Sequence, residues 1–526
     1  MFPHVSTLVF VFLAFFVAHN HALLNGLLPD IDLSKLLPGL DDLDLPSLGS
    51  GLLQPPAGEA PIPPSQDPFY VTPANISAYR EGQIVRDRLV SNEIKSGPVT
   101  TYMAGRVYQF MYRSRDSLDR PVANVATLIV PANTAPVDNT RLLSYASAYD
   151  SPNPDCVPSY AIRPGSPVPF GALSVDAMQV NRGWYVVTSD YFGINGAFPA
   201  GRQMGFAILD SIRGALSARA RSATGLSARA RWAQYGYSIG SFGPGLAAEM
   251  APSYAPEFGP GKLVGSALGG TVPNGTNLFL LDAGRLGGGL LFGAFLGLSK
   301  VYANFSALFD AEAGPGNKPA FVYIGNNDVV TNNQRGLGQD VFAYLKSGRA
   351  IVYDETFQTV TSGALQQGVH GAPNTPLYVF KGARDSISAL PDTEQLVDLY
   401  CREGVAVTYE LNTAAGHADE QLLGAPAAFD WIAGQFARRG GAPAAGGVPA
   451  AERVVVLHVG VADPLVLWAF FGGRDGGEAG DSVRAGSEGG GEGDGGAMGV
   501  EQQEVIRGPT SSRPELISAS LWRFIA

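Results

Sequence analysis

Between residues 67 and 438 the chain alternates short apolar runs with segments of helical period. The runs at 122–130, 142–145, 185–188, 377–380 and 405–411 are rich in β-branched and aromatic residues and too short for stable helices, so they read as strands. Segments 204–218 and 392–403 repeat their apolar residues every three or four positions and read as amphipathic helices. Strands alternating with helices predict an α/β fold with a mostly parallel sheet covered on both faces. A ten-residue echo, Leu216-Ser-Ala-Arg-Ala-Arg221 and Leu226-Ser-Ala-Arg-Ala-Arg231, is a single duplication and no solenoid. It reads as a polar helix followed by the lead-in to a strand.

The two ends depart from this pattern. Residues 6–18 are apolar and uncharged, too short to span a bilayer and suited to the core of a secretory signal ending near Ala18 or Ala22. No Lys or Arg precedes that stretch, which departs from the usual signal. Residues 1–22 are therefore expected to be a signal peptide. Residues 23–66 hold neither a helical nor an alternating period and are broken by Pro29, Pro38 and Pro46, which suits a pro-segment or linker. Residues 439–526 are low-complexity, with runs such as Gly489-Gly490-Gly491-Glu492-Gly493, and are expected to form a disordered tail. Secretion also fits the sequons at Asn75, Asn274 and Asn304.

Composition narrows the function. Charged residues are 16 % of the chain, against a usual share of about 25 %, and the net charge is −11. An acidic chain is a poor nucleic-acid binder. Two cysteines, Cys156 and Cys401, permit at most one intramolecular bridge and exclude a disulfide scaffold or a Cys-rich zinc site.

The chemistry concentrates at Gly236-Tyr237-Ser238-Ile239-Gly240, which matches G-x-S-x-G. A serine presented at a sharp strand-to-helix turn needs a strained backbone, and glycines on either side avoid crowding the strand and helix. Residues 232–235 read as the entering strand, and Leu246-Ala-Ala-Glu-Met250 as the leaving helix, ended by Pro252. Gly243-Pro244-Gly245 is poor helix material in between. A serine needs a base. His4, His19 and His21 fall in the presumed signal and His458 in the tail. Of the remaining two, His370 precedes the best acid candidate, whereas His417 follows the strand at 405–411, where a loop would present it at the sheet's edge. That acid is Asp385, just after the strand at 377–380, where a carboxylate can fix the imidazole tautomer. Asp392 and Glu394 are alternatives that read more naturally as the first turn of the next helix.

In chain order over residues 66–438 stand Gln66-Asp-Pro-Phe-Tyr70, Leu143-Ser-Tyr145 with Tyr149-Asp150-Ser151, Trp184-Tyr-Val-Val-Thr-Ser-Asp190-Tyr191, the Ser238 motif with Ala251-Pro-Ser-Tyr-Ala-Pro-Glu257, Lys381-Gly-Ala-Arg-Asp385, and Gly416-His417. Together these segments resemble the fungal secretory lipase family. The resemblance implies an α/β-hydrolase fold with an inserted helical cap or lid, here about residues 275–372. Within it, residues 278–298 are apolar and Gly-rich, fit for a buried helix pair or for a mobile lid meeting lipid. It implies hydrolysis of carboxylic esters, chiefly acylglycerols, by Ser238, His417 and Asp385, with oxyanion donors at the Ile239 N–H and at Asp150. Family members usually have Gly where Ile239 stands, so the acyl pocket is expected to be narrower. Asp150 also suits plain turn chemistry in Asp150-Ser-Pro-Asn-Pro154. Neither metal nor organic cofactor is implied; the expected partner is a lipid or ester substrate met at a lipid–water interface, without a membrane span. Two other readings use the same residues: an esterase or deacetylase for a small soluble metabolite, and a non-catalytic binding protein on a hydrolase fold.

Overall fold

The computed structural model describes residues 60–96, 100–132, 137–169, 182–259, 261–285, 287–438, 454–458 and 504–507. The expected signal peptide (1–22), most of the expected linker (23–66) and most of the expected tail (439–526) lie outside the described residues.

The strands are β1 (Ile84–Val90), β2 (Glu93–Ser96), β3 (Thr100–Met103), β4 (Arg106–Arg115), β5 (Pro121–Val130), β6 (Asp138–Ala146), β7 (Trp184–Ser189), β8 (Arg231–Tyr237), β9 (Leu263–Gly269), β10 (Leu377–Gly382), β11 (Val407–Asn412), β12 (Val454–His458) and β13 (Glu504–Arg507). Apart from the β2–β3 ribbon they form an 11-stranded sheet in the order β1-β4-β5-β7-β6-β8-β9-β10-β11-β12-β13. From β7 through β12 every pairing is parallel. The pairings β1–β4, β4–β5, β5–β7 and β12–β13 are antiparallel. The run at 122–130 is thus a strand of the antiparallel wing, not of the parallel centre. Segments 454–458 and 504–507, expected to lack structure, close the far edge as β12 and β13.

The longer helices are α1 (Gly201–Ala215), α2 (Ala218–Thr224), α3 (Ile239–Tyr254), α4 (Gly275–Asp282), α5 (Gly288–Ser299), α6 (Ala303–Gly325), α7 (Val329–Gly336), α8 (Glu355–Ala364), α9 (Leu390–Arg402), α10 (His417–Leu423) and α11 (Ala425–Ala437). Alternation along the strands sends side chains into separate cores. From β8, Trp232 joins the core around α1 and α3, while Ala233, Tyr235 and Tyr237 join Phe429, Ile432 and Phe436 of α11. From β10, Leu377 and Val379 pack with α9, and Tyr378 and Phe380 with α11. The echo at 216–231 becomes α2 and the approach to β8, as its polarity implied.

Local propensity gives way to packing along α3. The helix runs unbroken through Gly243-Pro244-Gly245 and past Pro252 to Tyr254. Those glycines serve close approach: a Cβ on Gly243 would stand 2.9 Å from Ile208 Cδ1, and one on Gly245 1.9 Å from Gln367 Nε2. Between β9 and β10 the chain inserts α4 to α8. The aromatic side chains of this insertion continue the core around α1 and α3, and within them Phe295 packs edge-on or tilted against Phe279, Phe305, Phe309 and Phe321 at 5.5–5.6 Å between ring centres. Its return to the sheet is tied to α3: the Glu249 carboxylate accepts from Gly368 N at 2.8 Å, His370 N at 3.1 Å and Tyr400 Oη at 2.5 Å.

Cys156 and Cys401 form no disulfide. Asn75 and Asn304 are exposed. Asn274 instead caps α4, its Oδ1 accepting from Asn277 N at 3.1 Å. Among the described residues no helix is long and apolar enough to cross a membrane.

Candidate active site

Ser238 stands between β8 and α3 with φ 58° and ψ −131°, a left-handed conformation that costs a non-glycine residue about 1–3 kcal/mol. Its surroundings over-determine it. Ser238 N donates to Gly269 O on the neighbouring strand at 2.9 Å, and Ser238 O accepts from Ser241 N at 2.9 Å and Ser241 Oγ at 2.7 Å. A Cβ on Gly236 would lie 1.8 Å from Gly240 O, and one on Gly240 2.3 Å from Ala146 O. No side chain fits at either flank of the serine motif.

His417 opens α10, just beyond the end of β11. Its Nε2 lies 2.9 Å from Ser238 Oγ and its Nδ1 2.7 Å from Asp385 Oδ2. A carboxylate at Nδ1 selects the Nδ1–H tautomer, which leaves Nε2 free to accept the serine proton. Tyr237 Oη donates to His417 O at 2.6 Å and its ring lies against the imidazole, fixing the start of α10. The three residues singled out from the sequence are therefore one hydrogen-bonded line. The rejected candidates are elsewhere: Asp392 accepts from Asn277 Nδ2 at 2.8 Å, and His370 N is held by Glu249.

Asp385 has a further partner that the sequence reading did not assign. Lys381 Nζ lies 2.7 Å from Asp385 Oδ2, with both side chains fully buried. Oδ1 accepts from Ile387 N and Ser388 N, each at 2.9 Å. Burial raises the Asp385 carboxyl, but the hydrogen bond and charge of His417 and the Lys381 ammonium outweigh it, holding the carboxyl well below the usual range. Burial pulls the Lys381 ammonium downward, against the attraction of Asp385. The signal was a lysine continuing a strand whose every position is buried, which requires a buried counter-charge.

Asp150 also has a left-handed backbone, with φ 31°. Asp150, with Ser238, Ile239, Phe242, Leu278, Leu291 and others, lines a cavity of about 30 Å³. Burial alone raises the Asp150 carboxyl to about 7. Ile239 is buried beside Ser238, and α4 and α5 of the insertion roof the cavity.

A serine on a strained turn after a central parallel strand, with a histidine and a carboxylate presented after later strands, defines an α/β-hydrolase. Two structures of Candida antarctica lipase A share the fold: the chain aligns with one at a TM-score of 0.64 over 74 % of its own length and 89 % of that chain, with 23 % identity, and with the closed state at 0.62. The family described as Secretory lipase matches residues 172–445. Lipase A of Arthroderma benhamiae is 32 % identical over 72 % of this chain and 81 % of that protein. The trichothecene C-3 esterase of Fusarium sporotrichioides is 30 % identical over 72 % of this chain and 85 % of its own length. The chain belongs to the secretory lipase family and is an ester hydrolase of the lipase class.

Breaking a buried ion pair from one side leaves an uncompensated charge, so Lys381→Met is expected to lower unfolding stability by about 3–5 kcal/mol at pH 7. Because folding depresses the Asp385 carboxyl, the stabilisation is full above the ordinary carboxylate value of about 4, begins to fall below it, and is lost only as pH drops through the depressed folded value. Urea unfolding at pH 7 and pH 3 checks both parts. The gap between variant and wild type should narrow in acid, and a variant as stable as wild type at pH 7 contradicts the role.

Proposed function

We propose that the protein is a secreted serine lipase that hydrolyses acylglycerol esters through an acyl-enzyme. The supporting observation is the unbroken line from Ser238 Oγ through His417 to Asp385 beside an apolar cavity. Ser238 Oγ attacks the ester carbonyl while His417 Nε2 takes its proton, and Asp385 steadies the imidazolium. The tetrahedral oxyanion is met by the Ile239 N–H at the start of α3 and by Asp150. A protonated Asp150 carboxyl carries an O–H to donate; ionised, it would repel the oxyanion. Collapse expels the alcohol, which leaves with the proton from His417. Water, deprotonated by the same imidazole, then attacks the acyl-serine and releases the acid.

A cavity of about 30 Å³ holds roughly one water and no acyl chain. Catalysis on long-chain esters therefore requires α4 and α5 to move aside, and an apolar surface favours that movement. The exposed Leu280 of α4 would face such a surface. A second reading, an esterase for a small soluble molecule, is favoured by the tightness of the same cavity and by the likeness to the trichothecene C-3 esterase. Secretion rests on the apolar N-terminal stretch and on exposed sequons at Asn75 and Asn304, and N-terminal sequencing of protein recovered from the medium tests it.

Hydrolysis of p-nitrophenyl acetate and p-nitrophenyl palmitate separates the two readings. The lipase reading expects palmitate turnover that rises sharply above the substrate's solubility limit, and loss of both activities in Ser238→Ala. Turnover of acetate alone moves the metabolite esterase ahead, and an active Ser238→Ala enzyme removes the mechanism.

The Asp150 carboxyl is neutral below about pH 7 and charged above it. The kcat/KM profile is accordingly expected to fall on the alkaline side near that value. Asp150→Asn, which keeps a donor but does not titrate, should abolish that limb. An unchanged limb in Asp150→Asn excludes the carboxyl as its source.

A further inference from the structure

Asp150 holds a backbone conformation that a non-glycine residue keeps only when its neighbours fix it. Here hydrogen bonds from the helical insertion reach the loop it begins. Asn332 on α7 is fully buried, and its Nδ2 donates to Asp150 O at 3.3 Å and to Asn327 O at 3.0 Å. Its Oδ1 accepts from Asn327 N at 2.9 Å. Ser151 Oγ donates to Asn327 O at 2.6 Å, and Asn153 Nδ2 to Asn326 O at 3.3 Å. At the end of α5, Lys300 Nζ donates to Pro152 O at 2.6 Å.

A buried carboxamide must have its donors and acceptor met, and an apolar side chain would fill the same space without that requirement. Asn332 meets them on one turn of the insertion and on the carbonyl of the strained residue beside Ser238. The packing around it leaves little freedom: a Cβ on Gly289 of α5 would lie 1.9 Å from Asn332 O.

We propose that Asn332 is a positioning residue for the reaction: through the Asp150 carbonyl it sets the backbone of the 150–153 loop, so the insertion assembles part of the oxyanion site besides covering it. This rests on the reading of Asp150 as an oxyanion donor. Lys300 supports the same loop from α5. A displaced loop misplaces the Asp150 donor by a fraction of an ångström, which weakens transition-state stabilisation more than substrate binding.

A double-mutant cycle on p-nitrophenyl butyrate tests the link, with the melting temperature of each variant as a folding control. Asn332→Ala is expected to lower kcat about 10–100-fold with KM changed less than about 2-fold. In an Asp150→Ala background the same substitution should change kcat less than about 2-fold, because the group it positions is already gone. If Asn332→Ala does not fold, Lys300→Met takes its place in the cycle and should show the same non-additivity with a smaller loss. Equal losses in both backgrounds overturn the link and leave Asp150 standing as a donor. An Asp150→Ala enzyme with wild-type kcat overturns the oxyanion reading and this proposal together.

Discussion

Everything at the site hangs on the turn at Ser238. Its left-handed backbone is tolerable only because glycine flanks it at 236 and 240, where a side chain would meet backbone within 1.8–2.3 Å. The same closeness brings β8, β6 and the start of α3 into backbone contact. The Ser238 N–H is spent on β9, and the serine carbonyl on the first turn of α3. The hydroxyl is the group left to face His417.

The acid side is built differently. Asp385 lacks the positive φ of Ser238; its fully buried side chain is held by the buried Lys381 ammonium and two backbone N–H donors. Four hydrogen bonds in that cluster, two to each oxygen, keep the carboxylate charged and fixed. His417 therefore meets an acceptor of one orientation. Tyr237, next to the serine, holds the backbone of His417 in turn, so Ser238 and His417 are tied by more than their own contact.

Much of this was legible in the sequence. The G-x-S-x-G motif gained weight from the strand and helix on either side of it; histidine scarcity left His370 and His417, and only His417 follows the acid candidate in chain order. The chain order of strands located Asp385. Other features were not legible for physical reasons. The helix through Gly243-Pro244-Gly245 defies local propensity because its glycines answer contacts with Ile208 and Gln367, distant in sequence. The run at 122–130 has the composition of a parallel core strand, since an antiparallel strand buried on both faces looks the same. Residues 454–458 and 504–507 lie in glycine-rich surroundings, and edge pairing leaves little mark on composition. The contact of Asn332 with Asp150 spans 182 positions, and nothing in the local sequence of either announces it.

The central claim is that Ser238 is a nucleophile activated by His417. Treating the protein with diethyl p-nitrophenyl phosphate and mapping the adduct by peptide mass spectrometry tests it most directly. The expected result is one diethylphosphoryl group per chain, on the peptide that holds Ser238, forming at least about 100-fold more slowly in His417→Ala. An adduct on another residue, or none on Ser238 in protein that hydrolyses esters, would contradict it.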